Sequence, residues 1–139
     1  MIPLSEAQQR VLDGVAPLAP VQIACNRAAG LVLAEIFDAD GPGAPVRLIN
    51  GSTLGFVGPA ENALSAGFVI AGTGTKRLLV RAVGPALGAF GLASTLPNPA
   101  IKIYQGSNLI AQNDDWNKDD AADIARLGAF AFTAGSKDA

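Results

Sequence analysis

The densest set of oxygen ligands in the sequence is Asn113-Asp114-Asp115-Trp116-Asn117-Lys118-Asp119-Asp120, with Asp123 close behind; five of the twelve acidic residues fall there. Asp115, Asn117 and Asp119 alternate in the way a hard cation such as Ca²⁺ prefers, which makes these three the candidate metal ligands. The stretch departs from an EF-hand loop, because Asp120 holds the glycine position and Arg126 that of the bidentate glutamate. The same residues have a local use: Asp and Asn side chains cap their own backbone and start the helix that follows, and Trp116 plugs the edge of a core. A weak calcium site and a capping loop both stand open on the sequence.

Other chemistry is sparse. The 139 residues include no histidine, which removes Ser-His-Asp and Cys-His nucleophile systems, His-bearing zinc sites and haem ligation by His. Cys25, in Ile23-Ala24-Cys25-Asn26, is the only cysteine and reads as a small buried hydrophobe. Gly72-Thr73-Gly74 begins like a dinucleotide loop, but Arg77 stands at the third glycine position, so a hairpin turn is expected. Gly84-Pro85-Ala86-Leu87-Gly88 admits two readings. It is a nest of backbone N–H groups for an anion near Arg77 and Arg81, or a strand exit in which Pro85 ends the ladder and Arg81 pairs with Asp114 or Asp115. Adjacent solvated aspartates lack the burial that raises one of a pair for acid catalysis. No catalytic or cofactor-binding residue is assigned, and the chain reads as a non-enzyme.

Charge and hydropathy narrow the partners. Ten Lys and Arg against twelve Asp and Glu give a net charge of −2, and no basic block exceeds Lys76-Arg77. Neither nucleic acid nor an anionic membrane surface is therefore an expected partner. Apolar runs such as Leu31 to Ala34 are too short to span a bilayer, and the first nine residues carry no Lys or Arg, so no signal peptide is expected and the default location is cytoplasmic. A carbohydrate platform would have to be built around Trp116 and Tyr104, the only Trp and Tyr.

The elements that must position these residues are mostly strands. Ser5 and Gln8 form a capping-box pattern, and Ala7, Val11, Leu12 and Val15 make the apolar stripe of a short helix that Gly14 and Pro17 end. A second short helix over Arg27–Leu33, interrupted by Gly30, and a strand carried by Leu31, Leu33, Ile36 and Phe37 fit the sequence equally well. Beyond the Asp40–Pro45 turn region, strands are expected at Val46–Ile49, Gly67–Ala71, Arg77–Val83, Ala100–Tyr104 and Leu109–Gln112, with hairpin turns at Gly72–Thr75 and Gly106–Asn108. In Arg77–Val83, Leu78, Val80 and Ala82 share a fully buried face, and Leu79, Arg81 and Val83 a partly covered one. A last helix is expected over Asp120–Leu127, capped by Asp119 or Asp120, with Ile124 and Leu127 inward. The fold class that follows is mainly β: an incomplete antiparallel β-sandwich with a short N-terminal helix and one short C-terminal helix.

Two resemblances meet inside the chain. Met1–Ala7, Arg10-Val11-Leu12, Ala16-Pro17-Leu18 and Ala29–Glu35 resemble the N-terminus of a molybdopterin molybdenumtransferase of the gephyrin type. The family's Asn-Ser-x-Met-Asp-Gly-Tyr-Ala signature cannot follow, since the only methionine is Met1. No molybdenum-transfer residue carries over, and the catalytic domain is absent. From about residue 31 onward, Ile36–Asp40, Arg47–Asn50, Ala66–Ile70, Lys76–Pro85, Asn113–Trp116 and Ala134–Ala139 resemble the tandem β-rich repeats of large bacterial secreted or cell-envelope proteins, a family without an assigned activity. That resemblance implies further strands after Ala139 and an extracellular parent. Together the two imply a fusion or chimera with a junction near Gly30–Glu35: a helical segment over 1–35 and a truncated sandwich repeat over 36–139. The expected function is a non-catalytic structural or adhesive module that self-associates through unpaired strand edges. The alternative is a remnant related to molybdenum cofactor biosynthesis.

Overall fold

In a computed structural model, the described residues form seven strands in two antiparallel sheets. The structure describes residues 21–24, 29–40, 50–58, 62–68 and 75–139. The expected N-terminal helix, Cys25, the Val46–Ile49 strand and the Gly72–Gly74 turn lie outside the described residues. The strands are β1 (Val21–Ala24), β2 (Gly30–Asp38), β3 (Asn50–Val57), β4 (Leu64–Ala66), β5 (Leu78–Val83), β6 (Ala100–Gln105) and β7 (Asn108–Asn113). One sheet has the order β4-β1-β6-β7, the other β3-β2-β5.

Leu31, Leu33, Ile36 and Phe37, where a strand competed with a helix over Arg27–Leu33, lie in β2, the central strand of the smaller sheet. Tertiary pairing decides the matter: β2 runs antiparallel to β3 from Gly30↔Val57 to Phe37↔Asn50, and to β5 from Leu33↔Val83 to Asp38↔Leu78. A boundary between residues 35 and 36 falls inside this strand. β1 lies in the other sheet between β4 and β6, so residues 21–24 and 30–35 belong to the sandwich. β3 forms where the Asn-Gly-Ser-Thr composition suggested none; its eight residues pair along β2, and register overrides weak propensity.

Alternation along β2 and β5 feeds two cores. Val32 and Ala34 from β2, Val57 from β3 and Ala82 from β5 meet Leu96 and Ile101, with Leu64, Val80 and Ile103 packed against them. This is the layer between the sheets. On the opposite face, Leu33, Leu79 and Val83 pack beneath a cover made from the rest of the chain: Leu87, Leu92, Trp116, Ile124, Phe130 and Phe132. The face of β5 expected to be partly covered is closed at its end, with Arg81 1% and Val83 0% exposed.

The cover has its own punctuation. Pro85–Phe90 is a 3₁₀ helix entered directly from β5, so Pro85 does end the ladder. Helix α1 (Ala121–Arg126) follows a 3₁₀ turn at Lys118–Asp120, and Ile124 is its buried residue. Its end is a Schellman motif: Ala129 N–H donates to Ile124 O at 3.1 Å and Gly128 N–H to Ala125 O at 3.1 Å, with Gly128 at φ +74. β6 and β7 form the expected hairpin, turning through Gly106 at φ +62. Among the described residues no helix is long and apolar enough to cross a membrane.

Backbone segments approach closely at two glycines beside Leu96. A Cβ on Gly30 would stand 2.5 Å from Leu96 N, and one on Gly84 would collide with Leu96 O. Gly84→Ala is therefore expected to cost about 2–3 kcal/mol in urea unfolding by overpacking against rigid backbone. Gly88→Ala, facing open space, serves as the near-neutral control.

Candidate functional site

Two of the four buried charged side chains among the described residues come one from each of two apolar strands. Glu35 stands in Leu31–Phe37 and Arg81 in Leu78–Val83, and β2–β5 register makes them direct cross-strand partners. Arg81 Nη2 lies 3.3 Å from Glu35 Oε2. Arg81 Nη1 donates to Phe130 O at 2.9 Å. The guanidinium carbon sits 4.5 Å from the Phe130 ring centre and 4.1 Å from that of Phe132, where the faces of both rings attract a cation. Trp116 meets Phe132 edge-on at 5.7 Å and Phe90 meets Phe130 at 5.0 Å, which holds the rings in place.

This site is ionic but under-bonded. Glu35 Oε2, Arg81 Nε and Arg81 Nη2 have no hydrogen-bond partner. Burial pushes the Glu35 carboxyl above its ordinary value, and Arg81 only partly opposes the shift. Burial likewise lowers Arg81, against the pull of Glu35 and Asp138. The pairing of Arg81 with Asp114 or Asp115 expected from sequence is corrected to Glu35. The available signal was that Glu35 interrupts the apolar run Leu31–Phe37 and Arg81 the apolar run Leu78–Val83, and two such charges are stable in a core only together.

The nest at Gly84 exists, and its anion is supplied by the chain. Gly84 N–H donates to Asp138 Oδ1 at 2.7 Å and Ala86 N–H to the same oxygen at 3.3 Å. Ser136 Oγ donates to Asp138 Oδ2. Asp138 is 0% exposed. Its neighbour Ala139 exchanges both backbone bonds with Ala82 (2.7 and 3.0 Å), on the side of β5 away from β2.

The acidic loop spends its side chains locally. Asp115 pairs with Lys137 at 2.6 Å. Asn117 Oδ1 accepts from Asp119 N–H at 3.1 Å, capping the 3₁₀ turn. The side-chain cap is thus Asn117 rather than Asp119 or Asp120; Asp120 occupies the N-cap position of α1 without a side-chain bond. Asp123 binds Arg126 at 2.8 Å within α1, and Arg126 Nη2 also donates to Ala39 O at 3.2 Å, which ties the helix to the end of β2. Among the described residues no group of three or more His, Cys, Asp or Glu side chains is placed to hold a metal. Calcium at Asp115, Asn117 and Asp119 would have to displace Lys137 and strip the Asn117 cap.

A second ionic knot closes the open end of the β2–β5 pair. Lys76 bridges Asp38 at 2.7 Å and Asp40 at 2.8 Å. Hydrogen bonds from Lys76 and from the Arg77 backbone lower the Asp40 carboxyl, and the same Lys76 contacts raise the ammonium. Between the sheets, Ala34, Ile36, Thr53, Ala66 and Phe68 line a recess of about 280 Å³ with almost no polar atoms, a space too small and too plain to orient a reactive ligand.

Compared with protein-family models, with curated proteins and with solved structures, the chain has no match. Function has to be argued from surfaces. Among the described residues the large apolar side chains left exposed are Leu54 and Phe56 on β3, Phe90, and Leu109 and Ile110 on β7. β7 is an edge strand in which all six residues are exposed, and its backbone groups on the side away from β6 offer a row of hydrogen-bond sites.

Three measurements test the site. Arg81→Met alone is expected to cost about 3–5 kcal/mol in urea unfolding by stranding Glu35, and adding Glu35→Leu to recover most of it. The pH dependence has two arms. Asp40, lowered in the fold, adds stability above its unfolded value of 3.8 that is lost as pH falls through its folded value. Glu35, raised in the fold, adds stability that is full below its unfolded value of 4.5 and lost as pH rises through its folded value. Unfolding free energies should therefore decline as pH climbs from 4.5 toward neutral, and Glu35→Gln should flatten that decline while leaving the acid arm. Millimolar calcium should leave the melt and Trp116 fluorescence unchanged, whereas Asn117→Ala should cost about 1 kcal/mol through the lost cap; a calcium-dependent melt abolished by Asn117→Ala would restore the cation site.

Proposed function

We propose that the chain is a non-catalytic β-sandwich module with a structural or adhesive role, working through association of its strand edges. The observation that carries this reading is β7, six exposed residues on a sheet edge with Leu109 48% and Ile110 57% exposed. Long, uncharged, apolar edges are templates for pairing with another chain. Two further features support it. The buried ionisable groups, Glu35, Asp38, Arg81 and Asp138, are all tied to partners that hold strands and cover together. The likeness of residues 31–139 to tandem β-rich repeats of secreted or cell-envelope proteins points the same way, since units in an array meet edge to edge.

Sedimentation velocity on the intact chain, from micromolar to millimolar protein, tests the proposal. Reversible, concentration-dependent association of folded chains is expected. A chain that stays monomeric throughout would overturn it.

A further inference from the structure

The strand edges are not equivalent, and their differences single out one. β4 has three residues, too few to carry a ladder. The free side of β5 is occupied at Ala82 by Ala139, and Lys76 and Arg77 flank its start. β3 packs against β4, and beyond its end Gly58 N–H donates back to Asn62 O at 3.1 Å. β7 has none of these protections. Asn108-Leu109-Ile110-Ala111-Gln112-Asn113 holds no charge and no proline. Its one irregularity is the bulge opposite Ile103 and Tyr104, which sets Leu109 beside Tyr104 on the sheet face opposite Ile103.

We infer that two copies of the chain pair through β7, antiparallel about a two-fold axis, joining their four-stranded sheets into one. This rests on the proposed association through strand edges and names the edge, the partner and the orientation. Charge selects the partner: a strand without charge offers nothing to an acidic or basic peptide, while an identical strand meets it without repulsion. Charge also selects the orientation. Parallel pairing would align Asp114-Asp115 with the same acids of the second copy, a like-charge contact. Antiparallel pairing sends the acids to opposite ends of the shared edge. A two-fold through such a ladder sets a residue against its own counterpart, here Ile110 against Ile110, so the apolar centres coincide. A two-fold contact uses the same backbone groups on both sides and closes at two copies.

The test is amide exchange combined with sedimentation of the intact chain and two variants. Wild-type protein should form dimers, with slowed exchange confined to amides within residues 108–113 as concentration rises. Ile110→Lys, at a side chain 57% exposed and so free to change without unfolding the sandwich, should weaken dimerisation by about tenfold or more through like charges placed at the two-fold. Leu54→Lys on β3 should leave dimerisation unchanged. Association that survives Ile110→Lys, with protection moving to β3 or β5, would overturn the β7 assignment and leave edge association standing. Growth beyond dimers in wild type would overturn the two-fold closure. A wild-type chain monomeric at every concentration would overturn both readings.

Discussion

A guanidinium that is 1% exposed needs both a counter-charge and something to cover it, and most of this fold can be traced to how Arg81 obtains the two. Glu35 supplies the charge only if β2 and β5 pair in the observed register. A slip of one residue would place Ala34 or Ile36 opposite Arg81 and send the carboxylate to the other face. The ion pair thus selects one alignment of β2 against β5. Because Glu35 Oε2 and two of the guanidinium nitrogens lack hydrogen bonds, its contribution is to specificity of register more than to stability, which fits the balance between desolvation and attraction for buried pairs.

The cover comes from segments that follow β5, and it docks on the cation. Phe130 contributes its carbonyl and its ring, Phe132 its ring, and Trp116 and Phe90 brace the two rings from outside. The segment is then fixed at both margins. Arg126 grips Ala39 O and Asp123 at one, and Asp138 fills the Gly84–Ala86 nest at the other. Trp116 N–H also donates to Asp138 O at 2.7 Å, so the acidic loop is held by the same anchor. Substitutions at Arg81, Asp138 or Phe132 should consequently behave as one coupled group rather than as separate sites.

How much of this was legible in the sequence depended on whether the deciding partner was local. The β6–β7 hairpin, β5 and α1 follow from alternation, a Gly-Ser turn and an apolar Ile124 at helical spacing, and each lies within a residue or two of its expected span. β3 was not legible, because Asn50 to Gly55 carries turn residues and only pairing with β2 makes it a strand. The two readings of Gly84–Gly88 turned out compatible: the strand exit and the anion nest are one device once Asp138 is the anion. Of the acidic loop, the capping use was readable but was placed two or three residues late, since Asn117 caps a 3₁₀ turn that precedes α1. The Glu35–Arg81 pair spans the point where two resemblances divided the chain, and dividing it there concealed the partner.

The same construction explains where the molecule is left open. The smaller sheet commits its outer face to the cover and its inner face to the larger sheet, so its central strand β2 is shielded on both sides. Among the described residues the larger sheet has no such cover on its outer face. Its β6 and β7 rely on Ile101 and Ile103 facing the shared core, and in the edge strand β7 all six residues are exposed. Alternation cannot protect such a strand. Leu109 and Ile110 would be outward liabilities in a sheet selected only to stand alone, where a lysine at either position would serve solubility without cost to the core. Their retention on an uncharged edge, in a chain that elsewhere neutralises buried charges with specific partners, is the physical reason to read β7 as a contact surface.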